Sequence, residues 1–218
     1  METQRKEEAT PQAEQRVFNL IVLDESGSMG VIKREAVSGF NETVQTIKAA
    51  QEKFSCQRHF VSLVTFNGEK ISTVYDCVPV AEVAELGEND FRPNCNTPLY
   101  DAMGMSLLTL EQKVGEGNVV LVTIITDGEE NASREFNRLQ IRGLVERLRE
   151  KHWVFTYIGT NQDVTRVAQN LSINNSVSFS YSPKGTKAVF ARENSCRMKF
   201  FACLRDTETP DEENYFDD

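Results

Sequence analysis

The sequence predicts an α/β three-layer sandwich: a mostly parallel six-stranded sheet with one antiparallel edge strand and helices on both faces. Three observations predict it. Short apolar runs rich in branched residues alternate with segments of helical periodicity along most of the 218 residues, the order that produces parallel sheets with crossover helices. One pair of strand-like runs is joined at Asn67-Gly68, a strong hairpin signal that makes that pair antiparallel. Two of the most apolar runs end on an aspartate, Asp24 and Asp127, at the edge where open α/β sheets carry their sites.

The elements follow in order. Val17–Leu23, "VFNLIVL", is a strand buried on both faces. A Ser/Gly turn leads into a helix whose Val37, Phe40, Val44 and Ile47 step at helical spacing. "RHFVSLVTF" and "KISTVYDCV" are the hairpin strands, and "LGENDFRPNCN" is a turn-rich surface loop. Thr97-Pro98 reads as an N-cap followed by proline at the first helical position. "NVVLVTIITDG" is the most apolar run and a central strand. The stripe Ile141, Val145, Leu148 marks a helix, with Glu129, Glu130 and Asn131 as its solvated start near the site. "HWVFTYIGT" is a strand, "NQDVTRVAQNL" a short helix, "VSFSYS" an outer strand, and Lys184–Leu204 a weaker helix.

Composition bounds the rest. Residues 1–15 are polar and read as a disordered leader, residues 16–204 as one domain, and residues 205–218 as an acidic tail. The formal charge is −9, and seven of the acids lie in the last thirteen residues with no base among them. The body is therefore nearly neutral, which argues against a nucleic-acid footprint, and the tail reads as solvated chain. No run is apolar enough to span a bilayer, and the start lacks a secretory signal, so a cytoplasmic location is expected. Five cysteines without a CxxC pair fit free thiols in a reducing compartment. His59 and His152 fall in apolar strand-like runs and read as buried structural residues, not zinc ligands.

The chemistry concentrates in "NLIVLDESGSMG". A nucleophile elbow needs G-x-S-x-G, and the first glycine is missing before Ser28. An aspartyl-phosphate enzyme of the haloacid-dehalogenase type places a second aspartate where Ser26 stands. No phosphate-binding glycine motif occurs, and Asp24 would repel an anion. An EF-hand loop would need glycine at Met29 and a preceding helix. What remains is a site for a hard divalent cation: Asp24 with the hydroxyls of Ser26 and Ser28, a third hydroxyl from Thr97, and Asp127 bound directly or through water. Two carboxylates leave the cation electrophilic, with a position open to an incoming carboxylate.

D-x-S-x-S, then threonine before Pro-Leu, then Thr-Asp-Gly on a later strand resembles the von Willebrand factor type A (vWA) domain and its metal-ion-dependent adhesion site. The likeness runs over about Arg16–Leu204 and resembles the intracellular bacterial members. It implies the strand order 3-2-1-4-5-6 and a metal set of Asp24, Ser26, Ser28, Thr97 and Asp127 holding Mg²⁺, Mn²⁺ or Ca²⁺. It also implies a non-enzymatic interaction module whose partner protein supplies an Asp or Glu, within an assembly such as one built on an AAA+ ATPase. The alternative is a Mg²⁺-dependent hydrolase of phosphate or ester substrates. Many vWA members have glycines before the threonine; here "NCNT" stands there, with Asn94 and Asn96 as the residues suited to left-handed backbone.

Overall fold

The computed structural model describes residues 14–160, 163–205 and 214–216. The described residues form six strands and five helices that alternate apart from the β2–β3 pair: β1 Gln15–Asp24, α1 Lys33–Lys53, β2 Gln57–Phe66, β3 Ile71–Pro79, α2 Leu99–Glu111, β4 Val119–Thr126, α3 Arg138–Arg149, β5 Trp153–Gly159, α4 Val164–Asn170, β6 Asn175–Ser178 and α5 Pro183–Arg205. The sheet order is β3-β2-β1-β4-β5-β6. Only the β2–β3 pair is antiparallel. This is the predicted sandwich.

Side-chain alternation on β1 explains the two cores. Val17, Ile21 and Leu23 join the cluster under α1 and α5. Phe18, Leu20 and Val22 join the one under α2, α3 and α4. Strands covered on both faces carry apolar residues at nearly every position, and β5 is buried throughout. Helix α1 packs closely on α5: a Cβ added to Gly39 would stand 2.2 Å from the Phe190 ring.

Several local expectations change. The Ser/Gly turn after β1 takes the form of a 3-10 turn, Gly27–Ile32, that leads directly into α1. The β2–β3 connection is a four-residue loop in which Asn67 Oδ1 accepts from the N–H groups of Glu69 and Lys70. Gly68 is there for close approach: its Cβ would lie 2.9 Å from the Asn96 nitrogen. His152 is exposed at a left-handed turn before β5 (φ 61°), not inside the strand. The predicted leader lies outside the described residues except for Glu14 and Gln15, and Gln15 already opens β1. Most of the predicted acidic tail is likewise undescribed, but Tyr215 and Phe216 are buried, so that part is not solvated chain.

His59 is buried as expected. Its Nε2 is 3.1 Å from Gln57 Oε1, and its ring meets Phe201 edge-on at 4.5 Å. Burial, with the Arg197 charge adding to it, lowers its pKa from 6.5 to about 4. The folded state then binds fewer protons than the unfolded state between those values, so His59 makes stability fall as pH drops through that window. Wild type should lose more stability than His59→Gln between pH 7 and pH 4 in urea titrations. Subtracting the two proteins cancels other titrating groups, and parallel pH profiles would contradict the assignment.

Candidate metal centre

The five predicted residues come from three loops at the carboxyl edge of β1 and β4, where the strand order reverses. Asp24 ends β1 and is fully buried. Its Oδ1 accepts from the Ser26 N–H at 2.7 Å and its Oδ2 from the Thr126 hydroxyl at 2.6 Å. Ser28 donates to Asp127 Oδ1 at 2.7 Å, and the Ser26 and Ser28 hydroxyl oxygens are 3.2 Å apart. Thr97 joins them at Gly128: a Cβ built there would lie 3.4 Å from Thr97 Oγ1 and 3.9 Å from Ser28 Oγ. Gly128 therefore leaves room beside two of the hydroxyls.

The threonine loop is held from both sides. Gly27 N–H donates to the Cys95 carbonyl at 3.0 Å and Asn94 N–H to the Glu25 carbonyl at 3.0 Å. Buried Glu25 also accepts from the Arg92 N–H through Oε1. On the other side Thr97 and Asn131 bond reciprocally: Thr97 N–H to Asn131 Oδ1 at 2.9 Å, and Asn131 N–H to the Thr97 carbonyl at 3.1 Å. In "NCN" the left-handed residue is Cys95 (φ 59°), not an asparagine.

Two sequence assignments fail here. Thr97 does not cap α2; Pro98 occupies the cap position and offers no side-chain cap. Glu129–Asn131 are not a helix start, because α3 begins at Arg138 with an Asn137/Gln140 capping box. Glu130 instead serves α2 from the neighbouring loop. Its Oε2 accepts from Tyr100 N–H at 2.9 Å and Ser133 Oγ at 2.6 Å, and its Oε1 from the N–H groups of Ala132 and Ser133. A carboxylate there satisfies an orphan donor and suits the positive helix end. Asp101 works in reverse, accepting from the N–H groups of Arg134, Glu135 and Phe136.

Burial dominates the electrostatics. It pushes Asp24 up to about 6, with the Asp127 charge adding and the Thr126 and Ser26 hydrogen bonds opposing. Burial also raises Asp127. Tyr181, between β6 and α5, donates to the Ser28 carbonyl and hydrogen-bonds Asp127. The groups that oppose the rise at Asp24 are hydroxyl and amide donors, Thr126 first and then Ser26. Two acids sharing a site and ringed by neutral hydroxyls are a donor set that fits a hard divalent cation. Among the described residues no cluster of three His, Cys, Asp or Glu side chains is placed to hold a metal. The candidate site has only two such groups and depends on hydroxyls for the rest.

No protein-family model matches the sequence, and no curated protein matches it. Solved structures do match. A von Willebrand factor type A protein from Catenulispora acidiphila superposes with a TM-score of 0.59 at 14% identity, over 85% of this chain and 43% of that one. The fold is that of a vWA domain. The pilus adhesin SpaC from Lactobacillus rhamnosus GG gives a TM-score of 0.64 at 13% identity, over 87% of this chain and 31% of that one. The VWA domain of SpRpn10 gives 0.52 at 13% identity, over 81% and 94%. The chain spans about two thirds or less of the length of the first structures it resembles.

Asp24, Ser26, Ser28 and Asp127 are linked by hydrogen bonds, and Thr97 lies beside them across Gly128. Thr126, Glu25, Glu130, Asn131 and Tyr181 were not identified as supports from the sequence. Thr126 could have been found there, since it precedes Asp127 and so faces the same side as Asp24 in the adjacent strand. Glu130→Ala should cost about 1.5–3 kcal/mol, the worth of hydrogen bonds to a charged group, in urea unfolding. An unchanged midpoint would show that α2 does not depend on this cap.

Proposed function

We propose that the chain is a non-enzymatic protein-interaction module of the vWA type, with a divalent cation held by Asp24, Ser26, Ser28, Thr97 and Asp127. The observation that carries this reading is a pair of buried acids at the sheet's switch point, Asp24 accepting from the Thr126 hydroxyl and Asp127 from the Ser28 hydroxyl, with the Ser26 and Ser28 hydroxyls side by side between them. When bound, Mg²⁺ or a similar ion would supply an electrophilic centre for a carboxylate oxygen. The chain's own groups do the rest. Ser26 N–H and Thr126 Oγ1 orient Asp24, Ser28 and Tyr181 orient Asp127, and Asn131 fixes the backbone of Thr97.

Only two negative charges face the ion, so a partner's Asp or Glu is the ligand that fits the remaining demand for charge. An exposed acidic side chain on a partner protein is the ligand class, and an assembly around an AAA+ ATPase is the setting the vWA likeness suggests. Five cysteines without a disulfide suit a reducing, cytoplasmic compartment. The hydrolase alternative would need a proton-handling base at this edge. Both histidines of the chain lie elsewhere: His59 pairs in register with Val17 near the start of β1, and His152 precedes β5.

Calorimetric titration with Mg²⁺ or Mn²⁺ tests the site. Asp24→Ala combined with Ser26→Ala should abolish binding. Gly128→Ala, whose Cβ enters the space beside Thr97 and Ser28, should keep stability within about 1 kcal/mol while weakening the cation at least about tenfold, or 1.4 kcal/mol. Unchanged binding in the double variant would remove the site.

A further inference from the structure

Residues 214–216 dock on the domain although the segment around them is strongly acidic. Tyr215 and Phe216 are 6% and 5% exposed. Tyr215 N–H donates to Asn175 Oδ1 at 3.0 Å and its hydroxyl donates to Glu193 Oε1 at 3.1 Å. The Phe216 carbonyl accepts from Arg192 Nη2 at 2.8 Å, and the same guanidinium lies 5.8 Å over the Phe216 ring. The Tyr215 ring is 6.0 Å from Phe200 and meets Phe216 edge-on at 5.0 Å.

The receiving groups are anchored independently of these residues. Asn175 opens β6 and donates to the Phe155 carbonyl at 3.2 Å. Glu193 Oε1 accepts from Arg197 Nε at 3.0 Å and Nη2 at 2.6 Å. Arg197, fully buried, also donates to Asn19 Oδ1 on β1 and Thr123 Oγ1 on β4, each at 2.8 Å. A buried ion pair with its remaining donors satisfied is rigid, so the acceptor for the phenol is pre-organised. The site reads a main-chain N–H, a phenol hydroxyl, a main-chain carbonyl and two rings, all within two consecutive residues. None of these contacts requires that the dipeptide be joined to α5.

We propose that the α5–β6 side of the domain is a peptide-recognition site for a Tyr-Phe dipeptide in acidic context, filled by the chain's own C-terminal segment and open to a partner peptide of the same chemistry. The acidic context is that of the resident segment's sequence, "DEENYFDD", and the exposed Arg192 holds the Phe216 carbonyl and ring. The site lies apart from the metal edge, because Asn175 pairs with Thr156 in mid-β5, and the inference does not depend on a cation being bound.

The test uses the full chain with a specific protease site inserted between Glu208 and Asp211, cut after folding. The probe is a fluorescein-labelled synthetic DEENYFDD peptide. The expected result is saturable binding to the cut chain after its fragment is removed, and little binding to the uncut chain, whose site is filled. The peptide carrying Tyr215→Phe should bind about tenfold more weakly for loss of the Glu193 hydrogen bond. If the fragment-free chain unfolds, added peptide must restore a cooperative melting transition. The proposal is overturned by no saturable binding and no restored transition, by equal binding to the uncut chain, or by equal affinity of the Phe peptide.

Discussion

The parallel pairing of β1 with β4 is the constraint on which the site depends. It sets Leu23 beside Ile125, so two acids from opposite halves of the chain leave the sheet side by side. Because side chains alternate along a strand, Thr126 faces the same side as Asp24 and donates to it. From the opposite face Arg197 bonds Asn19 of β1 and Thr123 of β4. The two strands are thus tied through side chains as well as backbone. A shift of one residue in this register would turn Thr126 away from Asp24 and move Asp127 out of reach of Ser28.

The acids at this edge are raised by burial, whereas several acids elsewhere are matched by backbone donors or by bases. Glu130 and Asp101 are spent on backbone N–H groups. Glu193 is matched by Arg197. Glu111 is held down to about 2 chiefly by its hydrogen bond to Arg147, with Lys151 adding to it. Asp24, by contrast, is pushed up by burial and by its acidic neighbour. Hydroxyl and amide donors alone oppose that shift. A cation bound there by the folded chain alone, as proposed, would add stability by mass action.

Much of this was legible in the sequence. Apolar runs of strand length, the Asn67-Gly68 pair and the helical stripes carry the α/β order because they reflect burial periodicity, which is local. Asp24, Ser26 and Ser28 were legible because they share one turn, and Asp127 because it ends the most apolar strand. The supports were not. Glu130 caps a helix that precedes it in the chain, and Asn131 mimics a backbone partner for Thr97, so both roles exist only once α2 and the β4 loop are adjacent. Thr97-Pro98 looked like a cap because the dipeptide has that statistical preference, yet Pro98 (φ −80°, ψ 63°) takes the cap position. Tyr215 and Phe216 were hidden by the acids around them. Composition describes the segment's average, while docking depends on two residues and on Asn175, Arg192 and Glu193 waiting elsewhere.

A crystal grown or soaked with saturating Mn²⁺ and measured at its absorption edge tests the central claim most directly, since the anomalous signal locates the bound ion itself. The account predicts one dominant peak among Asp24, Ser26, Ser28, Thr97 and Asp127, with direct oxygen ligands at about 2.1 Å. A saturating soak that leaves this edge empty, or that places manganese only elsewhere on the domain, would contradict it.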